Sequence, residues 1–553
     1  MFTQLIPYET THLILSAYID YYHQFKRITK RARYRFETKD WQGLQADSRK
    51  RNLLYKELVQ KTTNEVLDFL GDKAKDRKIW AEIRHSYQLE VMNFKTRNIA
   101  ETFYNSVFRH INPGLSADEE LMFVHGTGTY REYKSTHPIY FTFYLSSPLE
   151  NTFVQLFSFF NFDVPFEDLD QDIKEICDTF EQRFLQGKII HSTDRLEVLK
   201  SVFYRNKGAY IVGRTVISGR VHPFILPLQN REKGLAIDAL LLDRPNVSSI
   251  FSYHRSYFLV DVDIVRETVD FIWSMLPNKN LGELYNSIGF VKHGKTVFYR
   301  SFVRHLERSE DKFIRAPGAK GMVMTVFTLP SYKMVFKVIR DQFAFGKKQS
   351  PEMVKAKYDL VHLHDRVGRM TDFHSFDNMV FDVDRFSPQL LEELKKEIPS
   401  KLTFKGNKVE ISHLYAEKRM IPLDLYLKDA SLEDAEKVIS DFGLAIKQLA
   451  SVNIFTGDML LRNFGVTALK RVVLYDYDEI GFLNQYNFRV MPQADNDEDN
   501  MRAEPWFHVG EKDVFPEEFI NFLTGKKELK EIFYRTHGDL FTVDFWNGVK
   551  EKW

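Results

Sequence analysis

Three polar side chains in the C-terminal part of the chain have the types and the spacing that phosphoryl transfer requires. Asp458 precedes Asn463 by five positions, and Asp476 follows thirteen positions later at the end of an apolar run. In such an arrangement one carboxylate accepts the proton of an attacking hydroxyl group, while the amide and the second carboxylate hold divalent metal over the phosphates. Each residue alone is an ordinary loop residue. The combined spacing indicates phosphoryl-transfer chemistry.

A glycine-containing loop earlier in the chain could bind the phosphates of a nucleotide. It comprises Ala316, Pro317, Gly318, Ala319, Lys320, Gly321 and Met322 and leads into an apolar run. Its two glycines allow the backbone to approach phosphate oxygens, and Lys320 adds positive charge. Loops rich in glycine are often simple turns, so this signal is weak by itself.

Lys337 is the candidate cation of the same site. It lies within the apolar run Val335–Ile339, where a lysine that points inward is stable only beside anions. Alternate residues of a strand face opposite sides, so Lys337 could equally face solvent on a half-exposed strand. Its position just after the glycine-containing loop favours a phosphate contact.

The elements that must position these residues follow the order found in a two-lobed protein kinase. Apolar runs predict strands over 322–329, 334–339 and 409–415. Ser350-Pro351 predicts the start of a helix that runs toward Arg366, and the Ser431 to Asp434 segment resembles a capping box that opens another helix. The kinase-like order predicts a catalytic domain over 309–553.

The first part of the chain has a different pattern. Helical periodicity dominates from residue 1 to about 110 and returns over 154–185, aromatic runs with glycines predict strands between 122 and 157, and 209–270 is mixed with short β-rich runs. We therefore predict an α+β fold in which a mainly helical domain, 1–308, precedes the bilobal kinase-like domain, 309–553.

Composition restricts the class of protein. The chain has 553 residues, 44% of them hydrophobic, and a net charge of +1, which argues against a dedicated nucleic-acid-binding protein. Cys177 is the single cysteine and is expected to be a small core residue rather than a nucleophile. Met1–Leu15 lacks the pattern of a signal peptide, and no apolar run of about 18 residues is present. We expect a cytoplasmic protein that binds neither membrane nor nucleic acid.

Six segments, taken in order along the chain, carry a close family resemblance. They are 316–327, 364–372, 411–415, 457–466, 475–480 and 513–519. These segments resemble the bacterial isocitrate dehydrogenase kinase/phosphatase family, and weaker similarity extends over nearly the whole chain. The resemblance implies a bifunctional enzyme that uses ATP, releasing ADP, to phosphorylate and inactivate isocitrate dehydrogenase at a serine. The same site region removes that phosphate, which controls flux between the citric acid cycle and the glyoxylate bypass.

The resemblance also implies roles for individual residues. Residues 316–322 and Lys337 would bind ATP, Asp458 would be the kinase base, and Asn463 and Asp476 would hold Mg²⁺ or Mn²⁺. Asp372 would be the residue most needed for phosphatase activity, although its own chemistry indicates only a helix-capping or surface acid. A helical regulatory domain, AMP as allosteric effector and a homodimer are further expectations.

Some features depart from a conventional kinase, and two other functions compete. Thr456-Gly457 replaces the usual His-Arg before the catalytic Asp, and neither Glu352 nor Asp359 is a clear helix partner for Lys337, so that role stays open. One alternative is a P-loop ATPase that uses Lys295, because 289–296 satisfies the P-loop pattern. The other is a pseudokinase that binds nucleotide without catalysis.

Overall fold

The chain folds into two units with different secondary structure, Met1–Arg308 and Ser309–Trp553. The computed structural model describes residues 2–125, 135–186, 190–252, 257–318, 320–343, 349–364, 367–457, 459–492, 507–523 and 527–553. The first unit is mainly helical, and the second combines a sheet with helices. The predicted α+β fold class is therefore confirmed.

Long amphipathic helices begin the first unit. Its described helices are α1 (Phe2–Glu37), α2 (Trp41–Leu70), α3 (Arg77–Val91), α4 (Arg97–Ile111), α5 (Leu149–Ser158), α6 (Leu169–Phe180), α7 (Arg244–Ile250), α8 (Val265–Met275), α9 (Leu281–Ser287) and α10 (Val291–Arg308). Apolar side chains that recur at helical spacing, such as Tyr18, Tyr87 and Phe103, are fully buried where α1, α3 and α4 pack together. Among the described residues, no helix is long and apolar enough to cross a membrane.

A six-stranded antiparallel sheet completes the first unit. Its strands are β1 (Tyr140–Tyr144), β2 (Arg195–Leu199), β3 (Phe203–Arg205), β4 (Gly208–Ile217), β5 (Arg220–Asn230) and β6 (Leu235–Ile237), in the order β1-β2-β4-β5-β6 with β3 beside β4. The strand predicted up to residue 157 is wrong at its end, because α5 occupies that segment. Cys177 is buried beside this sheet, and burial raises the pKa of its thiol to about 12, which fits a core residue.

The segment that satisfies the P-loop pattern is mostly helical. α9 precedes it, and most of it belongs to α10, whereas a phosphate-binding P-loop follows a strand. A Cβ atom added to Gly294 would lie 2.6 Å from the carbonyl oxygen of Gly282. The glycine therefore permits close packing of α9 against α10, and this geometry removes the main support for an ATPase that uses Lys295.

The burial of His293, in the same segment, predicts that the stability of the protein depends on pH. Its side chain is buried on α10, and its Nδ1 lies 2.9 Å from Thr102 Oγ1. Burial, with smaller contributions from Arg300 and Arg266, lowers the pKa of His293 from 6.5 to about 3. The unfolded chain therefore binds a proton below pH 6.5 that the folded chain does not bind until about pH 3. We expect the free energy of unfolding to fall by up to about 1.4 kcal/mol for each unit by which the pH is lowered within this range.

Thermal unfolding at pH 5 and pH 7 tests this linkage. The His293→Gln variant lacks the titrating group, so its melting temperature should change less between the two pH values than that of the wild type. An equal change in both proteins would contradict the assignment.

The second unit begins with an antiparallel sheet. Its strands are β7 (Ile314–Arg315), β8 (Met324–Leu329), β9 (Tyr332–Ile339), β10 (Phe373–Asp382), β11 (Leu402–Lys405) and β12 (Lys408–Lys418), in the order β10-β12-β9-β8-β7 with β11 beside β12. The predicted strands over 322–329 and 334–339 correspond to β8 and β9, and β12 extends three residues beyond the predicted end at Tyr415. Lys337 thus lies on the third strand of the unit, where protein kinases carry their phosphate-binding lysine.

Helices and short strands form the rest of the second unit. The helices are α11 (Pro351–His364), α12 (Pro388–Glu397), α13 (Leu423–Asp429), α14 (Leu432–Ala450), α15 (Lys527–His537) and α16 (Val543–Lys550). The short strands are β13 (Ile421–Pro422), β14 (Ile454–Phe455), β15 (Phe464–Val466), β16 (Val472–Leu474), β17 (Gly481–Phe482), β18 (Asn487–Phe488) and β19 (Asp513–Val514). Ser350 and Ser431 cap α11 and α14 as predicted, because their hydroxyl groups accept hydrogen bonds from the amides of Met353 and Asp434.

Candidate active site

A cavity of about 380 Å³ in the second unit brings together most of the residues predicted to handle phosphate. Its lining includes Ala316, Pro317, Gly318, Lys320, Gly321, Met322, Lys337, Asn463 and Asp476. These residues come from the glycine-containing loop, from β9 and from the segments on both sides of β15 and β16. Ala319 and Asp458 lie outside the described residues. The cavity therefore collects candidate phosphate-binding and metal-binding groups from distant parts of the sequence.

The glycine-containing loop adopts a backbone that requires its glycines. Gly318 has φ of +115°, a conformation that residues with a Cβ atom rarely adopt. A Cβ atom on Gly321 would lie 2.8 Å from the carbonyl oxygen of Met324. Lys320 does not point freely into the cavity, because its Nζ lies 2.8 Å from Glu397 Oε1. The loop backbone, rather than the Lys320 side chain, is thus the group best placed to meet phosphate.

Lys337 is buried in the wall of the cavity, with 5% of its surface exposed. Its Nζ donates hydrogen bonds to Glu417 Oε2 at 2.8 Å and to the carbonyl oxygen of Tyr475 at 2.7 Å. It also lies 5.0 Å from the centre of the Tyr475 ring. The lysine therefore faces inward, and the alternative of an outward lysine on a half-exposed strand is wrong.

The partner of Lys337 comes from the neighbouring strand β12 and not from a helix. Glu352 and Asp359, the two acidic residues considered on α11, are both exposed. Glu417 is only 1% exposed and also lines the cavity. Its carboxylate therefore provides the negative charge that a buried ammonium group needs.

Asn463 and Asp476 lie next to each other in the lining of the cavity. Asn463 ends a short 3₁₀ turn, Leu461–Asn463, and its carbonyl oxygen accepts hydrogen bonds from the amides of Tyr475 at 3.1 Å and Asp476 at 3.3 Å. These contacts hold the two segments together although thirteen positions separate the two residues in sequence. The spacing seen in the sequence thus corresponds to a direct contact in space.

The carboxylate of Asp476 lies in an environment that favours a bound cation. Burial and the neighbouring carboxylate of Asp478 raise the pKa of Asp476 to about 7, while the charge of Lys337 acts in the opposite direction. A cation bound between the two carboxylates would remove their repulsion and favour the ionised form.

The oxygen ligands present fit magnesium or manganese. The described residues contain no group of three or more His, Cys, Asp or Glu side chains able to hold a metal by themselves. Mg²⁺ is usually bound through one or two carboxylates, with phosphate oxygens and water completing its shell. Asp476, Asp478 and the amide of Asn463 provide such an incomplete set at the cavity wall.

Asp372 lies just before β10, where the backbone is attached to the segment that leads to Asp476. The Thr371 amide donates to the Leu474 carbonyl at 2.9 Å, the Leu474 amide donates to the Arg369 carbonyl at 2.7 Å, and the Tyr477 hydroxyl donates to the Thr371 carbonyl at 2.6 Å. Asp372 is half-buried; burial is the main cause of the raised pKa of Glu417, and the charge of Asp372 adds to it. It is thus near the Lys337–Glu417 pair although it is not among the described residues that line the cavity.

Sequence reasoning missed several polar residues of the cavity. Glu417, Arg340, Arg462 and Asp424 line it, and Asp424 Oδ1 is buried without a hydrogen-bond partner among the described residues. Asp424 lies in the first turn of α13, whose N-cap is Pro422, so a carboxylate two residues after a proline was the available signal. For Glu417, which is followed by Lys418 and Arg419, the residue types gave no comparable signal.

The fold and the cavity define a class of protein. The second unit has the parts of a protein-kinase-like catalytic unit. The third strand of its sheet carries a buried lysine, a glycine-containing loop precedes that strand, and an Asn–Asp pair follows a helical region. A mainly helical unit precedes it. Comparison with known proteins gives a narrower result.

Residues 11–310 match the family described as "Isocitrate dehydrogenase kinase/phosphatase (AceK), regulatory domain", and residues 311–553 match "Isocitrate dehydrogenase kinase/phosphatase (AceK) kinase domain". A protein of Colwellia psychrerythraea named isocitrate dehydrogenase kinase/phosphatase is 40% identical over 97% of this chain and 93% of its own length. A protein of the same name from Pectobacterium carotovorum is 40% identical over 98% of this chain and 91% of its own length. The chain belongs to the isocitrate dehydrogenase kinase/phosphatase family, and the resemblance seen in its motifs is confirmed.

Proposed function

We propose that this protein phosphorylates a serine of isocitrate dehydrogenase with ATP, thereby inactivating it, and also removes the phosphate. The observation that carries the proposal is one cavity, in a chain of this family, that unites the glycine-containing loop, Lys337, Asn463 and Asp476. Through these two reactions the enzyme would control flux between the citric acid cycle and the glyoxylate bypass. The retained polar set argues against a pseudokinase without catalytic function.

In the kinase direction, the cavity supplies positioning and charge. The backbone of the glycine-containing loop binds the phosphates of ATP, and the buried ammonium group of Lys337 neutralises part of their charge. Asn463 and Asp476 would hold Mg²⁺ or Mn²⁺, which supplies electrostatic stabilisation of the transferred phosphoryl group. Asp458 is proposed as the base that accepts the proton of the serine hydroxyl, on the spacing of the catalytic loop alone.

In the phosphatase direction, Asp372 is proposed to orient or activate a water molecule against the phosphoserine. The support is its tether to the segment that leads to Asp476, which holds it near the nucleotide-handling residues. The two directions would then share the metal and the lysine and differ in the carboxylate that handles the proton.

The family also suggests how the enzyme is controlled and assembled. Membership of this family implies that the protein uses a nucleotide and a divalent metal. Our proposal is that the nucleotide is ATP, that the metal is Mg²⁺ or Mn²⁺, and that AMP is an effector acting through the residues of 1–308. The homodimer and the cytoplasmic location stay predictions.

Incubation with isocitrate dehydrogenase and ATP labelled at its γ-phosphate tests the proposal in both directions. We expect label on a serine of isocitrate dehydrogenase together with loss of dehydrogenase activity. Addition of AMP should then release the label and restore the activity. Absence of transfer with both Mg²⁺ and Mn²⁺, under conditions where the protein binds ATP, would contradict the kinase function.

A further inference from the structure

The ion pair at Lys337 is built within a single sheet. Lys337 on β9 lies directly opposite Tyr415 on β12, and Glu417 comes two residues after Tyr415. Residues two apart on a strand share a face, so Glu417 is the diagonal neighbour of Lys337 on the same side of the sheet. The distance of 2.8 Å between Lys337 Nζ and Glu417 Oε2 follows from this register.

Both members of the pair are removed from solvent. Lys337 is 5% exposed and Glu417 is 1% exposed. A buried charge of either sign is costly when it stands alone, so each side chain stabilises the charged form of the other. The pair is therefore a fixed feature of the cavity wall rather than a surface contact that solvent would weaken.

In protein kinases a helix that follows the third strand supplies the carboxylate for this lysine. In this chain α11 follows β9, and both acidic residues considered on it, Glu352 and Asp359, are exposed. We propose that Glu417 is the positioning residue of Lys337, which fixes its ammonium group where the phosphates of the nucleotide bind and takes the role that a helix carboxylate has in other kinases. This inference rests on the proposed function.

A second carboxylate explains why the lysine needs to be held. Asp476 lines the same cavity, and the charge of Lys337 already acts on it. Without Glu417, the ammonium group would be free to pair with Asp476, the proposed metal ligand. Glu417 thus keeps the lysine available for phosphate and the aspartate available for metal.

Three single variants test the role. Glu417→Gln keeps the shape and removes the charge, Glu417→Asp keeps the charge on a shorter side chain, and Glu352→Gln is the matched control on α11. We expect Glu417→Gln to lower kcat for phosphoryl transfer on the order of 100-fold. Glu417→Asp should recover part of that loss, and Glu352→Gln should stay within about 2-fold of the wild type because an exposed carboxylate contributes little. Loss of activity in Glu352→Gln with normal activity in Glu417→Gln would overturn the proposal.

A variant pair separates positioning from a general structural role. If Glu417 acts through Lys337, Glu417→Gln should weaken ATP binding in the otherwise wild-type protein. The same substitution should have no further effect on ATP binding in a Lys337→Met background. Losses that multiply in the double variant would overturn the proposal. Thermal unfolding identifies folded variants, and Glu417→Asp takes the place of Glu417→Gln should the latter not fold.

The dissociation constant of ATP keeps this inference distinct from the proposed function. A protein that binds ATP but transfers nothing to isocitrate dehydrogenase would refute the function, while the coupling between Glu417 and Lys337 would still be measured from binding. Normal transfer with no coupling would refute only the inference.

Discussion

Replacement of Asp476 by asparagine is expected to abolish phosphorylation and dephosphorylation together, each by about 1,000-fold, because the proposed metal ligand serves both directions. The substitution keeps the size of the side chain and removes its charge, so the contact between its amide and the carbonyl of Asn463 can persist. Rates of label transfer to and from isocitrate dehydrogenase, at saturating Mg²⁺ or Mn²⁺, measure both effects. Full activity in either direction would show that this direction does not use Asp476.

Lys295→Ala is the matched test of the competing ATPase function. Lys295 lies on α10, in the segment that satisfies the P-loop pattern, and is not among the described residues that line the cavity. We expect this variant to bind ATP as the wild type does. Loss of ATP binding in Lys295→Ala, with binding retained in Lys337→Ala, would show that the kinase-like assignment is wrong.

Replacement of Asp372 by asparagine is expected to separate the two activities. Dephosphorylation should fall by at least about 100-fold, since a positioned general base contributes that much or more. Phosphorylation should be largely retained, because Asp372 lies before β10 and outside the described lining of the cavity. The measurement is release of phosphate from labelled isocitrate dehydrogenase beside the forward reaction with the same preparation.

Asp382→Asn is the control for this variant. Asp382 ends the strand that begins just after Asp372, and it forms a surface ion pair with Lys408 at 2.6 Å. Loss of a surface pair of this kind costs about 0 to 1 kcal/mol of stability, so both activities should remain. Equal loss of phosphorylation and dephosphorylation in Asp372→Asn would refute a role confined to the phosphatase.

The sequence predicted those parts of the site that depend on local patterns. Periodicity and capping chemistry account for the serines that cap α11 and α14, for the strand that carries Lys337 and for helix α14. The segment Asp441-Phe442-Gly443 lies within α14, where Phe442 is buried and Asp441 pairs with Arg369 at 2.6 Å. The triplet, although it spells a kinase metal-binding motif, is therefore part of the helix packing and not of the cavity.

The parts that the sequence did not predict depend on register and on packing between distant segments. The predicted strand at 409–415 ended too early because Glu417 and Lys418 have the composition of a loop, and their burial depends on β9 lying alongside. Without knowledge of that register, Glu417 could not be identified as the partner of Lys337. Two of the three hydrogen bonds at Asp372 likewise join backbone groups, which every residue possesses, so no residue type indicates them.

In many kinases activity is switched by swinging a helix until its carboxylate reaches or leaves the lysine. In this chain both side chains of that contact, Lys337 and Glu417, lie on strands of one antiparallel sheet, and backbone pairing joins those strands directly. A displacement of α11 would not carry the carboxylate away from the lysine, because Glu417 is not on that helix; α11 reaches the pair through Tyr358, whose side chain hydrogen-bonds to Glu417. We expect the choice between adding and removing phosphate to depend on the segments that carry Asp372 and Asp476, with the lysine equally ready for both.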